Sequence, residues 1–161
     1  MEHKAIYAGT FDPITLGHED VARRAAKLFP QVVVAVADYP GKKQLSFTTA
    51  ERVAMATAVL ADCGNIKVIS FKGLLMQFVR EQDSRVVIRG LRAASDFEYE
   101  FQLAGMNRSM FPEMETLFLT PADKYMFISA SLVREVATLG GDVSQFVTPL
   151  VAKELGRKIK A

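Results

Sequence analysis

The sequence predicts a single α/β domain on a five-stranded parallel sheet, and three observations lead there. With 161 residues, half of them hydrophobic and about a quarter charged, the chain is the size of one domain with one core. Short apolar runs alternate with segments of helical period along its whole length. One of those runs, Gln31 to Ala37 (QVVVAVA), is nearly all β-branched or alanine, as expected of a strand covered on both faces. Parallel neighbours need a crossover, and the intervening helices supply it, on both faces and with a right-handed sense. The architecture is therefore Rossmann-like and doubly wound, and we read residues 1–161 as one domain.

The elements follow in order. Ala5 to Ala8 forms the first strand and stops at Gly9; Val21, Ala22, Ala25, Leu28 and Phe29 then recur on one helical face. A polar loop through Pro40, Gly41, Lys42 and Lys43 follows the second strand. Thr48 and Glu51 have the spacing of a capping box, which predicts a helix to about Leu60. Asn65 to Phe71 reads as the third strand, Leu74 to Gln82 as a short helix and Arg85 to Ile88 as the fourth strand. Ser95 to Met110 is a longer helix whose Asp96 and Glu98 suit its N-terminus, and Glu115 to Leu119 is the fifth strand. Ser129 or Ser131 caps a helix over Leu132 to Leu139, which stops at Gly140-Gly141; a last helix runs past Pro149 into a charged end.

Composition excludes several classes. Twenty Lys and Arg against eighteen Asp and Glu leave a formal charge of +2, too near balance for wholesale nucleic-acid or acidic-membrane binding. The lone Cys63 forms no internal disulfide and reads as a small buried hydrophobe in a reducing compartment. Two histidines, His3 and His18, with one thiol give no zinc-site spacing. Neither a signal peptide nor a bilayer-length apolar stretch is evident, so the expected location is the cytoplasm.

The candidate chemistry lies after the strands, where ligands bind in such sheets. Gly9-Thr10-Phe11-Asp12-Pro13-Ile14-Thr15-Leu16-Gly17-His18 is a small-residue loop that runs into a helix, a setting in which free N–H groups and the helix dipole favour an anion. Neither the P-loop nor the G-x-G-x-x-G pattern is present. Lys42 and Lys43 follow the second strand, and Arg89-Gly90-Leu91-Arg92 ends the fourth, where Arg89 needs an anion. Ile128-Ser129-Ala130-Ser131 sets hydroxyls and free N–H groups at a second helix start. These are phosphate ligands and not nucleophiles; no G-x-S-x-G elbow or paired-carboxylate motif accompanies them. Phosphoryl or nucleotidyl transfer fits, since its transition state is stabilised by positioning and fixed charge. A silent nucleotide-sensing module would use the same anion sites. Weak RNA binding through Lys153, Arg157, Lys158 and Lys160 is the third reading.

Thr15-Leu16-Gly17-His18 resembles the T/H-x-G-H signature of the nucleotidyltransferase superfamily. Together with Arg89-Gly90-Leu91-Arg92-Ala93, Asp96-Phe97-Glu98-Tyr99-Glu100, Met106-Asn107-Arg108 and Phe127 to Val133, it resembles the bacterial phosphopantetheine adenylyltransferases from the first strand to about Val143. That resemblance implies adenylyl transfer from ATP, with Mg²⁺ on its phosphates and no metal ligand from the protein, to 4′-phosphopantetheine, giving dephospho-coenzyme A and pyrophosphate. It implies a catalytic set of His18, Thr10, Lys42 and Arg92, with His18 stabilising the transition state. It assigns ATP to Thr10, Phe11, His18, Gly90, Leu91, Arg92, Glu100, Tyr125, Met126, Phe127, Ile128, Ser129, Ala130 and Ser131. It assigns phosphopantetheine to Thr10, Lys42, Leu75 and Arg89. A homohexamer built as a dimer of trimers and feedback by coenzyme A are further implications, with no nucleic-acid or membrane partner. Ala130 departs from a common third hydroxyl, and Ala8 and Leu16 stand where Pro and Asn are frequent.

Overall fold

The computed structural model describes residues 3–39 and 45–160. Strands β1 (Lys4–Gly9), β2 (Gln31–Asp38), β3 (Ile66–Lys72), β4 (Val86–Gly90) and β5 (Glu115–Leu119) form one sheet in the order β3-β2-β1-β4-β5, with every neighbouring pair parallel. Helices α1 (Leu16–Leu28), α2 (Thr49–Val59), α3 (Leu75–Glu81), α4 (Ala94–Met110), α5 (Ala130–Thr138) and α6 (Pro149–Lys160) connect and cover it. The chain winds outward from β1 to β3 and then crosses back to β4. That crossing makes the carboxyl ends of β1 and β4 the switch point, where a crevice opens.

Alternation along the strands divides the core. Ala5, Tyr7, Val32, Val34, Val36 and Ile88 face α1, α2, α5 and α6, while Ile6, Ala8, Val33, Ala35, Ala37 and Val87 face α3 and the residues after α4. Val32 to Ala37 is thus buried on both sides, as its composition predicts. The capping box of α2 forms as expected: Glu51 N–H donates to Thr48 Oγ1 at 3.2 Å, and Thr48 N–H to Glu51 Oε2 at 2.9 Å.

Several details differ from the sequence reading. Strand β4 continues through Arg89 and Gly90, which pair with Phe118 and Leu119, so both residues belong to the sheet and not to the loop after it. Asn65 precedes β3 and spends its side-chain amide on the carbonyls of Ala26 and Phe29. Ser129, not Ser131, caps α5 by accepting from Leu132 N–H at 3.1 Å, and the helix opens at Ala130. A 3₁₀ turn over Asp123–Tyr125 has no apolar periodicity to announce it. Leu28 is exposed although its helical neighbours Val21, Ala22 and Ala25 are buried. Cys63 is only half-buried, with its Sγ accepting from Arg23 Nη1 at 3.0 Å; it sits in a polar junction and not in the core. Among the described residues no helix is long and apolar enough to cross a membrane.

Candidate active site

At the switch point a cavity of about 310 Å³ opens between the loop after β1, the end of β4, the starts of α1 and α5, and Glu100 of α4. The loop after β1 is tightly determined. Phe11 takes a left-handed φ of 50° and buries its ring edge-on against Tyr7 and His18, at centroid distances of 5.3 and 5.0 Å. Gly9 accommodates that ring, since a Cβ at Gly9 would lie 3.1 Å from it. The buried Asp12 carboxylate accepts from the N–H groups of Ser46 and Phe47, both at 3.0 Å, tying this loop to the segment that leads into α2.

Behind the loop lies Arg52, 1% exposed. Its guanidinium donates to the carbonyls of Thr10 and Ala37 at 2.8 Å each, to Phe47 O at 3.3 Å and to Thr49 Oγ1 at 2.9 Å. One planar fork thereby holds the loop after β1, the end of β2 and the entry to α2, a geometry that an ammonium could not span.

Thr15 caps α1 and His18 occupies its third helical position, so the T-x-G-H motif is structurally a capping box with a histidine in place of glutamate. The Thr15 N–H donates to His18 Nδ1 at 3.0 Å, and the His18 N–H donates to Thr15 Oγ1 at 3.3 Å. A main-chain N–H can only donate, so Nδ1 is the unprotonated nitrogen and Nε2 carries the proton. Burial, and secondarily the guanidinium charges of Arg92 and Arg89, lower His18 from 6.5 to about 4. At neutral pH the site therefore presents a neutral imidazole with its N–H on Nε2.

The arginine of β4 has its anion within the protein. Arg89 Nε and Nη2 pair with both oxygens of Glu100 at 2.8 Å, and Nη1 donates to Ala8 O at 2.9 Å. Burial opposes this charge, but the bonds and charge of Glu100 outweigh it and raise Arg89 above its usual value. Arg92 joins the start of α4 to the start of α5: its Nε is 3.4 Å from Asp96 Oδ2, and its Nη1 donates to Ile128 O.

The cavity brings together Thr10, Phe11, His18, Arg89, Gly90, Arg92, Glu100, Ile128, Ser129, Ala130 and Ser131 from the sequence reading. It does not bring in Leu91, whose N–H continues the sheet by donating to Leu119 O, nor the half-buried Tyr125 and Met126, nor the exposed Phe127. Leu75 packs on the opposite side of the sheet with the cluster around Phe71 and Met76. Lys42 lies outside the described residues, as do Pro40, Gly41 and Lys43. Sequence reasoning did not single out Tyr7 or Arg134, both of which line the cavity beside Thr15 of the T-x-G-H motif. Arg134 donates from Nη1 to Asp12 O and from Nη2 to Ser131 Oγ at 3.4 Å; its place one turn past Ser131 was the available signal.

Three guanidinium groups, two helix starts and a neutral N–H donor thus surround one space, while its carboxylates, Asp12 and Glu100, are already engaged. Such an arrangement can bind phosphates and can stabilise charge developing on them.

Comparison with known proteins agrees. Residues 6–136 match the cytidylyltransferase-like family. The chain is 65% identical over 156 residues to the phosphopantetheine adenylyltransferase of Methylobacillus flagellatus, covering 97% of each chain. It is 62% identical to that of Nitrosospira multiformis, covering 97% of this chain and 94% of the other. The fold resembles that of Plasmodium falciparum nicotinic acid mononucleotide adenylyltransferase, with a TM-score of 0.68 at 18% identity over 98% of this chain and 96% of that one. The chain therefore belongs to the cytidylyltransferase-like family and, within it, to the phosphopantetheine adenylyltransferases.

Proposed function

We propose that this chain transfers the adenylyl group of ATP to 4′-phosphopantetheine, giving dephospho-coenzyme A and pyrophosphate. The observation that carries the reading is the neutral His18, fixed at the start of α1 beside Arg89 and Arg92 in the same cavity. An oxygen of the acceptor phosphate attacks the α-phosphorus; the new P–O bond forms as the bond to the β-phosphate oxygen breaks, and pyrophosphate leaves with that electron pair. A phosphate is already ionised near neutral pH, so the protein supplies no general base.

His18 Nε2–H donates to an α-phosphoryl oxygen as charge grows on the five-coordinate phosphorus, and Thr10 contacts the same group. Lys42 and Arg89 hold the acceptor phosphate. Arg89 has five N–H groups and three are taken by Glu100 and Ala8 O, which leaves two for that phosphate. Arg92 and the start of α5 would hold the ATP phosphates, the stretch from Tyr125 to Ser131 and Glu100 would complete the ATP side, and Leu75, outside this cavity, would meet the pantetheine arm. ATP enters as its magnesium complex. The cavity's carboxylates are committed to Arg89 and to the N–H groups of Ser46 and Phe47, which suits a cation carried by phosphate oxygens.

The proposal extends to a cytoplasmic homohexamer, a dimer of trimers, under feedback by coenzyme A. Exposed Phe97, Tyr99, Phe101 and Met106 on α4, with Phe97 and Phe101 stacked 5.6 Å apart, support association. Arg157 and Lys158 of α6 pair with Glu154 and Glu51, which disfavours the RNA-binding reading.

Pyrophosphate release from MgATP tests the reaction, run with 4′-phosphopantetheine, with unphosphorylated pantetheine and with no acceptor. Release confined to the phosphorylated acceptor supports it. Folded protein that binds ATP and releases none would return the sensing module.

A further inference from the structure

We propose that the Tyr7 hydroxyl is a further phosphate ligand of the cavity, donating to a phosphoryl oxygen of bound substrate beside Arg89 and Arg92. The inference deepens the adenylyltransferase reading and rests on it.

Tyr7 is central in β1, in register with Val34 and Ile88, and only 4% exposed. Its ring is held edge-on against Phe11, and through Phe11 it belongs to the same aromatic run as His18. The side chain lines the cavity, yet among the described residues its hydroxyl makes no hydrogen bond. The ring is buried, but the oxygen opens onto the cavity and is available to a bound ligand. Arg89 directs three of its N–H groups to Glu100 and Ala8 O, and Arg92 pairs with Asp96 and Ile128 O; neither donates to this hydroxyl.

Gly90 lies beside the hydroxyl, where a Cβ would meet the Tyr7 oxygen at 3.5 Å, an ordinary contact distance. Burial pushes the phenol well above its ordinary range against the pull of Arg89 and Arg92, so it stays protonated at neutral pH and has a hydrogen to donate. A neutral donor set among guanidinium groups matches an anionic oxygen and adds direction without adding charge. Both substrates of the proposed reaction carry such an oxygen.

The test is calorimetric titration of the intact protein and of Tyr7→Phe with ATP, 4′-phosphopantetheine, adenosine and pantetheine, beside thermal unfolding without ligand. Tyr7→Phe keeps the ring and its packing. The expected result is roughly tenfold or greater loss of affinity for ATP or for the phosphorylated acceptor, whichever phosphate is engaged. Adenosine and pantetheine should bind as before, and the unliganded Tm should not fall. Affinity for both phosphorylated ligands within twofold of the unmodified protein would overturn the assignment. So would an equal loss for the unphosphorylated pair, or a lowered unliganded Tm. Failure of the unmodified protein to bind either phosphorylated ligand would overturn the enzyme reading itself, and this role with it.

Discussion

His18 Nδ1 sits 3.0 Å from the main-chain N–H of Thr15, so the start of α1 chooses the tautomer of the histidine. The choice uses backbone geometry and leaves Nε2–H as the ring's donor. His18→Ala should therefore lower kcat by about 10²–10³ at near-native stability, losing only the reciprocal half of a cap. A kcat within a few-fold of the unmodified enzyme would remove His18 from the transition state.

The lowered His18 value carries a stability signature. The unfolded chain takes up this proton near 6.5 and the folded chain only near about 4, so the unfolded state binds more protons between those values. Stability should fall as pH drops from 6.5 toward 4, by ~3 kcal/mol at ~1.4 kcal/mol per unit, and His18 should add no further loss below 4. Urea unfolding across that window, compared with His18→Gln, isolates the contribution. Parallel pH dependences for the two proteins would contradict it.

Arg89 and Glu100, with side chains 23% and 10% exposed, form a pair that should respond as one unit. Arg89→Ala leaves a buried carboxylate without its partner and should cost ~2–4 kcal/mol, as should Glu100→Ala, with the double variant costing clearly less than the sum. Kinetically, Arg89→Ala should raise KM for phosphopantetheine more than for ATP. Additive stabilities in a double-mutant cycle, or equal KM effects, would refute the assignment.

Arg52 touches no substrate space but fixes the segments that do. Arg52→Lys replaces a planar fork reaching three carbonyls and a hydroxyl with a single ammonium. The expected loss is ~2–4 kcal/mol, with lowered kcat from displacement of Thr10. Denaturant unfolding and steady-state kinetics on the same preparation measure both. Native stability in the lysine variant would show that the fork is dispensable.

The sequence by itself determined the five parallel strands, the helices between them, the capping box at Thr48 and the anion-binding character of the loops after β1 and β4. These features are local: side-chain periodicity, β-branched runs and cap spacing act over a few residues, so a linear reading reaches them. The T-x-G-H motif was legible as a signature, but its role as a cap that sets the tautomer of His18 was not, because that requires knowing where α1 begins.

Only the tertiary structure decided which charges meet. Arg89 reads as a cation awaiting an anion, and the fold places Glu100 of α4 against it from eleven residues on. Arg52 and Thr10 are separated by 42 positions and Arg134 and Asp12 by 122, yet each pair is joined by a hydrogen bond across the switch point. Tyr7 reads as one more strand residue until packing buries its ring and leaves its hydroxyl facing the cavity. Such pairings follow from how β1, β4 and the helix starts converge in space, and residue spacing along the chain carries no record of that convergence.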